Sequence, residues 1–443
     1  MTDLRGYSGL GSMLALVGVG LLSIGCSGGG GEGDKGSEEA GGVIAELRSS
    51  APRVTPNVSE ATRASEAEQA FGVSFLHELD AHSNVTFSPH SLSTAFAMLT
   101  DAADGQTLDE VEQVLAFGTV DEAFHRSQDA LALGLSARNR DAVQGEHEKV
   151  DAQILSASND IWIRDDVPPQ PSYLDTLAQY YGVGVHHADF PNHPEEARVA
   201  INSKVSHDTH DLISELIPEK VITSNTVSVL TNAIYFKAPW ATALDAPVSG
   251  DFHKLDGSTA TASMLRTAGG LRYYAGTDFV SVGLPYYGGD LEMMLIVPDA
   301  GAYDSVRAAL TSEVLTEMVT TGTYEAVNLT LPKFNLKSVV PAVETLKALG
   351  MKIPFDENAA RFPKFASAKY DNVYIGDVLH QATVAIDEKG TEASAATAIV
   401  LAGVTGGFEP PPPKIVVADH PFLFVIRDNP TGSVLFIGQV VEP

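Results

Sequence analysis

The first strong periodicity of apolar residues starts at Ser65. Ser65 and Glu68 make an S-x-x-E capping pair, and Phe71, Phe75 and Leu79 follow at helical spacing. A second helix is predicted to open at Ser88-Pro89, a cap residue with proline at the first helical position, and to bury Leu92, Phe96 and Leu99. Thr107 and Glu110 repeat the capping pattern ahead of Val111, Val114 and Leu115, and Gly118 marks the stop. After about residue 150 the pattern turns to strands, predicted at 153–163, 226–236, 279–285, 291–297, 325–331, 378–386, 415–418, 421–427 and 433–441. Helices are expected near 169–181, 195–213, 303–318 and 341–349. Asp428-Asn429-Pro430-Thr431-Gly432, between two apolar runs, reads as a hairpin turn. Helices gathered early and strands late predict an α+β fold rather than an alternating parallel-sheet one. No internal repeat is found, and one large domain is predicted over residues 65–443.

The segment before that domain has a different character. Residues Leu10 to Leu22 are apolar but fall short of the roughly 20 residues a bilayer-spanning helix needs. Arg5 precedes them and the small residues Ser23 and Gly25 follow, the layout of a secretory signal over residues 1–25. Cys26, the only cysteine, stands at the expected cleavage point and resembles the lipid-attachment cysteine of bacterial lipoproteins. Residues 26–64 are rich in Gly, Ser and Glu with few large apolar side chains, so a flexible tether is expected there. This places the folded part in the bacterial cell envelope, lipid-anchored and facing periplasm or exterior, or else secreted.

Composition narrows the function. With 28 Lys and Arg against 57 Asp and Glu, the net charge is −29, which repels polyanions and argues against nucleic acid as a partner. An apolar share of 44% with 19% charged residues suits a folded chain. A lone cysteine excludes an internal disulfide and any multi-cysteine metal centre. The sequence contains no G-x-S-x-G, P-loop, G-x-G-x-x-G or H-E-x-x-H pattern. His186, His187, Asp189 and His193, and the pair His207 and His210, read as solvated or core histidines rather than metal ligands. Acidic pairs such as Asp165-Asp166 and Glu195-Glu196 read as exposed charge. No enzyme activity, cofactor or metal is indicated.

One segment stands apart. ASAATAIVLAGVTGGF, from Ala393 to Phe408, carries no charge although the chain is strongly acidic, and it runs into the prolines of 410–413, which bar a helix or a central strand. Such a segment is either a buried strand followed by a loop, or a stretch exposed in one state and buried in another.

Here the sequence resembles the serpin family. HQATVAIDEKGTEASAATA (His380 to Ala398) is similar to the family's reactive-loop hinge, and the chain from Asp419 to Pro443 to its C-terminal signature. NVTFSPHSLSTAFAML (from Asn84), TNAIYFKAPW (from Thr231) and LTLPKFNLKS (from Leu329) match three further blocks in order. The resemblance implies some nine helices around three mainly antiparallel sheets, with a reactive loop displayed over about residues 388–414. It implies a suicide-substrate inhibitor, a monomer whose partner is a serine protease held as a covalent acyl complex. The alternative within the family is a non-inhibitory member acting as a binding module or plain protease substrate.

The site residues follow from the same resemblance. The hinge is Glu388, Gly390, Thr391, Glu392, Ala393, Ser394, Ala395, Ala396 and Thr397. If the loop inserts as a strand, Thr391, Ala393, Ala395 and Thr397 point inward, and all are small and uncharged. Ser88, Ser91, Asn232 and His380 match a hydrogen-bonding cluster where the central strands part. Trp240, Lys333 and Glu388 match the point where the loop enters, with Lys333 and Glu388 a candidate ion pair. Family spacing places the reactive bond at Val404-Thr405. The long stretch after it leaves Phe408 as the alternative. No Lys or Arg lies between 390 and 413, which disfavours trypsin-like targets and points to elastase-like or chymotrypsin-like ones.

Overall fold

A computed structural model describes residues 43–144, 149–365, 373–391 and 411–443. Among them are nine α-helices and three sheets of seven, nine and two strands, the α+β architecture expected. The seven-stranded sheet runs in the order Ile44–Leu47, Val185–Ala188, Ile154–Arg164, Ser228–Pro239, Gly390–Thr391, Val378–Ile386, Phe334–Val340. Most pairs are antiparallel, but Ile154–Arg164 with Val185–Ala188, and Ser228–Pro239 with Val378–Ile386, are parallel. The nine-stranded sheet is built around the long strand Thr259–Ala275 and includes the hairpin Phe422–Asp428 and Val434–Val440, beyond which Val85–Phe87 is the last strand.

Period-two alternation sends the sides of Ile154–Arg164 to two different cores. Ile161 and Ile163 join the core shared with helices Thr62–Glu78 and Pro89–Thr100, while Trp162 faces helix Pro194–Asp208 with Ile201 and Val205. The seven-stranded sheet is therefore covered on both faces, which explains why its strands read as apolar runs rather than clean alternations.

The hairpin turn is as expected. Asp428 Oδ2 accepts from the N–H and hydroxyl of Thr431, and Gly432 takes a φ of +80° that other residues rarely adopt. Ser88 caps helix Pro89–Thr100 by accepting from the Ser91 N–H.

Four expectations need correction. The Ser65–Glu68 capping box does not exist: a short 3-10 turn, Val58–Ala61, runs straight into helix Thr62–Glu78, and Asn57 with Glu60 caps it. Glu68 is instead fully buried, its carboxylate accepting from His90 Nδ1 at 2.7 Å and Ser433 Oγ at 2.6 Å. Thr107 and Glu110 likewise serve another segment: Glu110 accepts from the N–H groups of Lys352 and Ile353, and Thr107 from that of Arg361. The predicted helix 303–318 is two helices, Tyr303–Ala309 and Ser312–Thr320, because Leu310 is extended and Thr311 starts a new cap. Finally, residues 44–64 do not fit the flexible tether expected over residues 26–64. Ile44–Leu47 pairs with Val185–Ala188, and Arg53 reaches buried Asp129 at 2.6 Å, so the fold already holds the chain there.

Removing the carboxylate in Glu68→Leu strands the His90 and Ser433 donors in the interior. We expect a stability loss of about 3 kcal/mol, seen as a lower urea midpoint at unchanged slope.

Candidate functional site: the seam of the seven-stranded sheet

Ser228–Pro239 and Val378–Ile386 are neighbours that pair over only part of their length. Their register runs from Val378 opposite Leu230 to Ala382 opposite Ile234. Beyond that point they part, and Gly390–Thr391 lies between them: Thr391 opposes both Ala238 and Ile386, and Gly390 opposes Pro239. The hinge thus doubles back from Val378–Ile386 and enters the sheet as the start of a strand.

A polar row closes the lower half. Asn159, Asn232 and His380 are register partners on three adjacent strands. His380 is fully buried, and its Nε2 accepts from the Ser88 N–H at 3.0 Å, so the ring proton sits on Nδ1 and is donated to Asn232 Oδ1. Asn232 Nδ2 donates in turn to Asn159 Oδ1, which also accepts from Ser91 Oγ at 3.1 Å. The structure brings Ser88, Ser91, Asn232 and His380 together, and adds Asn159, which sequence reasoning missed. Its signal was available: a polar residue inside a predicted buried strand needs a partner. Burial in this apolar setting pushes the His380 imidazole down to about 3, so it stays neutral.

The upper half is held by the turn of 387–390. Asp387 Oδ1 accepts from the N–H groups of Lys389 and Gly390, closing the turn. Trp240 donates its Nε1–H to the Asp387 carbonyl at 3.0 Å and its backbone N–H to that of Lys389, and Leu244 N–H reaches Glu388 O at 2.7 Å. Lys333 Nζ meets Glu388 Oε2 at 3.3 Å. Both side chains are more than 30% exposed, so this pair contributes no more than about 1 kcal/mol. Its own backbone N–H, and then Lys333, hold the Glu388 carboxyl below the usual carboxylate range.

Thr391 is the innermost hinge residue described. It is fully buried, and its hydroxyl shares a 2.7 Å hydrogen bond with Tyr286. The Tyr286 ring stacks on Trp240 at 4.5 Å and meets Phe236 edge-on, and burial pushes its hydroxyl well above the ordinary tyrosine range. Tyr286 is a second residue that sequence reading did not single out. Glu392, Ala393, Ser394, Ala395, Ala396, Thr397, Val404, Thr405, Phe408 and Cys26 lie outside the described residues.

The histidines weighed as metal ligands go elsewhere. His186 pairs with Asp160 at 3.1 Å and stacks on Trp162, while His187 meets the Val167 carbonyl. Among the described residues no three His, Cys, Asp or Glu side chains are grouped to hold a metal ion.

A family model described as serpin (serine protease inhibitor) matches residues 66–443. A serpin-like protein of Thermococcus kodakarensis is 31% identical over 82% of this chain and 81% of its own length. Human antithrombin-III is 30% identical over 86% of this chain and 82% of its own. The native-state crystal structure of the thermophilic serpin tengpin superposes with a TM-score of 0.76 at 25% identity, covering 90% of this chain and all of that one. Uncleaved ovalbumin, 23% identical, shares the fold at a TM-score of 0.73, over 86% of this chain and 99% of its own. The chain belongs to the serpin family.

His380 makes the seam sensitive to acid. In the unfolded chain it takes up a proton below about pH 6.5, whereas the folded form resists until about pH 3, so stability is complete above pH 6.5 and falls below it. His125, held by burial at about 4, acts in the same direction. Between pH 6.5 and 5 each should remove up to about 1.4 kcal/mol per unit. His380→Gln should flatten the dependence of the urea midpoint on pH in that window.

Proposed function

We propose that this serpin is a suicide-substrate inhibitor of serine proteases, with elastase-like or chymotrypsin-like enzymes as its targets. The observation that carries this reading is the position of Gly390–Thr391, already seated between the two parted strands and hydrogen-bonded in register to both. A strand that has begun to enter has made its first fixed contacts, and further residues can add one after another. The sequence that follows is suited to this, since Ala393, Ala395 and Thr397 continue the inward side with small uncharged groups.

In this mechanism the target's serine hydroxyl attacks the carbonyl carbon of Val404. The bond to Thr405 breaks, the new amine takes a proton from the target's histidine, and an ester joins Val404 to the protease. Insertion then draws the ester-linked protease along the sheet and disturbs its oxyanion hole before water can cleave the ester. The protease supplies every catalytic group. This chain supplies a carbonyl and a sheet that gains a central strand.

Incubation with elastase-like and chymotrypsin-like proteases should give an SDS-stable complex. Mass spectrometry of the released C-terminal fragment fixes the bond, since a fragment beginning at Thr405 supports Val404 and one beginning at Glu409 supports Phe408. Cleavage with no complex would instead indicate a substrate or binding module. Thr391→Arg tests the seated hinge: it removes the Tyr286 hydroxyl contact and forces an unpaired guanidinium into a closed site, a penalty of several kcal/mol. Complex yield should fall at least about tenfold while cleavage persists. An unchanged yield would mean the inward register is wrong.

A further inference from the structure

A surface cavity of about 340 Å³ lies between helices Tyr303–Ala309 and Ser312–Thr320 and the turn that joins strands Thr259–Ala275 and Phe279–Pro285. None of its lining residues belongs to the hinge or to the polar row of the seam. Its apolar lining is Tyr274, Phe279, Val306, Leu310 and Val314, with Ala309. Val306 and Leu310 are part of the main core and the other three large side chains pack against it, so this lining is preformed. The two rings stand 5.9 Å apart, and the Phe279 ring lies 2.2 Å from where a β-carbon on Gly276 would stand, so only glycine leaves it room. The charged residues of the lining are both acids, Asp278 and Glu317, and both are exposed. Among the described residues neither has a Lys or Arg partner. Tyr274 donates its hydroxyl to Glu317; partial burial, and then that acid, hold the phenol above its ordinary range, so it stays a donor. Asp278 takes a φ of +61°, which aspartate and asparagine tolerate better than most residues, and its carbonyl accepts from the Asp299 N–H at 2.7 Å.

We propose that this cavity binds an arylalkylamine in its ammonium form. A primary ammonium has three N–H donors and no acceptor, and the lining offers it the two carboxylates and the Ser305 hydroxyl oxygen, whose proton goes to the Ala302 carbonyl. Aromatic faces carry negative charge and attract a cation close by, so Tyr274 and Phe279 favour the same sign. The hydrocarbon body is covered by Val306, Leu310 and Val314. At about 30 Å³ for each water displaced, the space suits roughly eleven non-hydrogen atoms. Other classes of ligand fit less well. Two carboxylates in a chain of net charge −29 repel an anion, and a neutral molecule leaves both acids without a partner. A bare metal ion would need a third ligand, and among the described residues no three His, Cys, Asp or Glu side chains are grouped to supply one. The site is independent of the inhibitory reading.

Phenethylammonium is the probe, with phenethyl alcohol as its neutral counterpart and phenylacetate as its anionic one, and saturation-transfer NMR on the full chain is the readout. The amine should bind with a Kd on the order of 1 mM. The alcohol should bind at least about fivefold more weakly, and phenylacetate should show no transfer. Glu317→Gln keeps an acceptor for Tyr274 but removes the charge, and Asp278→Asn does the same at a residue type suited to its backbone; each should weaken the amine at least about threefold and leave the alcohol unchanged. Ala309→Trp, which covers the cavity from the end of its helix, should abolish binding of both. Because Asp278, Ala309 and Glu317 are exposed, all three variants should melt where the wild type does, which separates loss of binding from loss of fold. No transfer from the amine, equal affinity for the alcohol or phenylacetate, or unchanged amine binding in the two charge variants overturns the site.

Discussion

Two neighbouring strands that pair and then part must do something with the backbone groups left facing each other. Among the described residues no pairing joins Tyr235–Lys237 to Thr383–Ala385, although Phe236 and Val384 are buried. Unmet N–H and C=O groups in an interior are among the most expensive features a fold can carry. The Asp387 turn and the two-residue strand Gly390–Thr391 place hydrogen-bonding backbone at the top of that gap. The neighbouring side chains keep them there: Trp240 donates to the turn's carbonyls, Tyr286 meets the Thr391 hydroxyl, and the Tyr286 ring stacks on Trp240.

The lower half of the seam is held differently. There the strands are joined by a ladder and also by Asn159, Asn232 and His380, which pass hydrogen bonds from strand to strand and down to helix Pro89–Thr100. Apolar side chains in this row would have packed without directional demands. Amides and an imidazole fix which atom meets which, and a shift of one strand by one residue breaks every bond that strand makes in the row. The sheet is thus bound by geometry below and by a plug above.

Most of the fold was legible because its strands are buried on both faces or end in recognisable turns. Val378–Ile386 and Phe279–Pro285 fall at the predicted limits. Asp245–His253 and Thr259–Ala275 were not seen, since the first is largely exposed and the second is rich in Ala, Thr and Gly, so neither gives an apolar rhythm. Helix Glu122–Ser136 was missed despite an Asp121 cap and Phe124, Leu131 and Leu135 on one side. The capping boxes at Ser65 and Thr107 misled for one shared reason. A carboxylate three residues after a hydroxyl can answer a distant donor as readily as the local one, and sequence spacing does not say which. For the site, family motifs located His380, Asn232 and Trp240. Asn159 and Tyr286 emerge only from cross-strand register, which no local pattern encodes.

Ile44–Leu47 is the outermost strand of the seven, and without it Val185–Ala188 would end the sheet. A bare sheet margin is a template for any other extended chain, and proteins blunt it with charge, twist or a covering segment. This chain covers it with residues that precede its first helix and anchors them by the Arg53–Asp129 bond. Losing that leading stretch would uncover the margin of Val185–Ala188 and leave the buried Asp129 carboxylate without its guanidinium partner, so molecules would adhere to one another along the bared strand. Resistance to aggregation thus falls partly to a short leading stretch that also completes the domain's own packing.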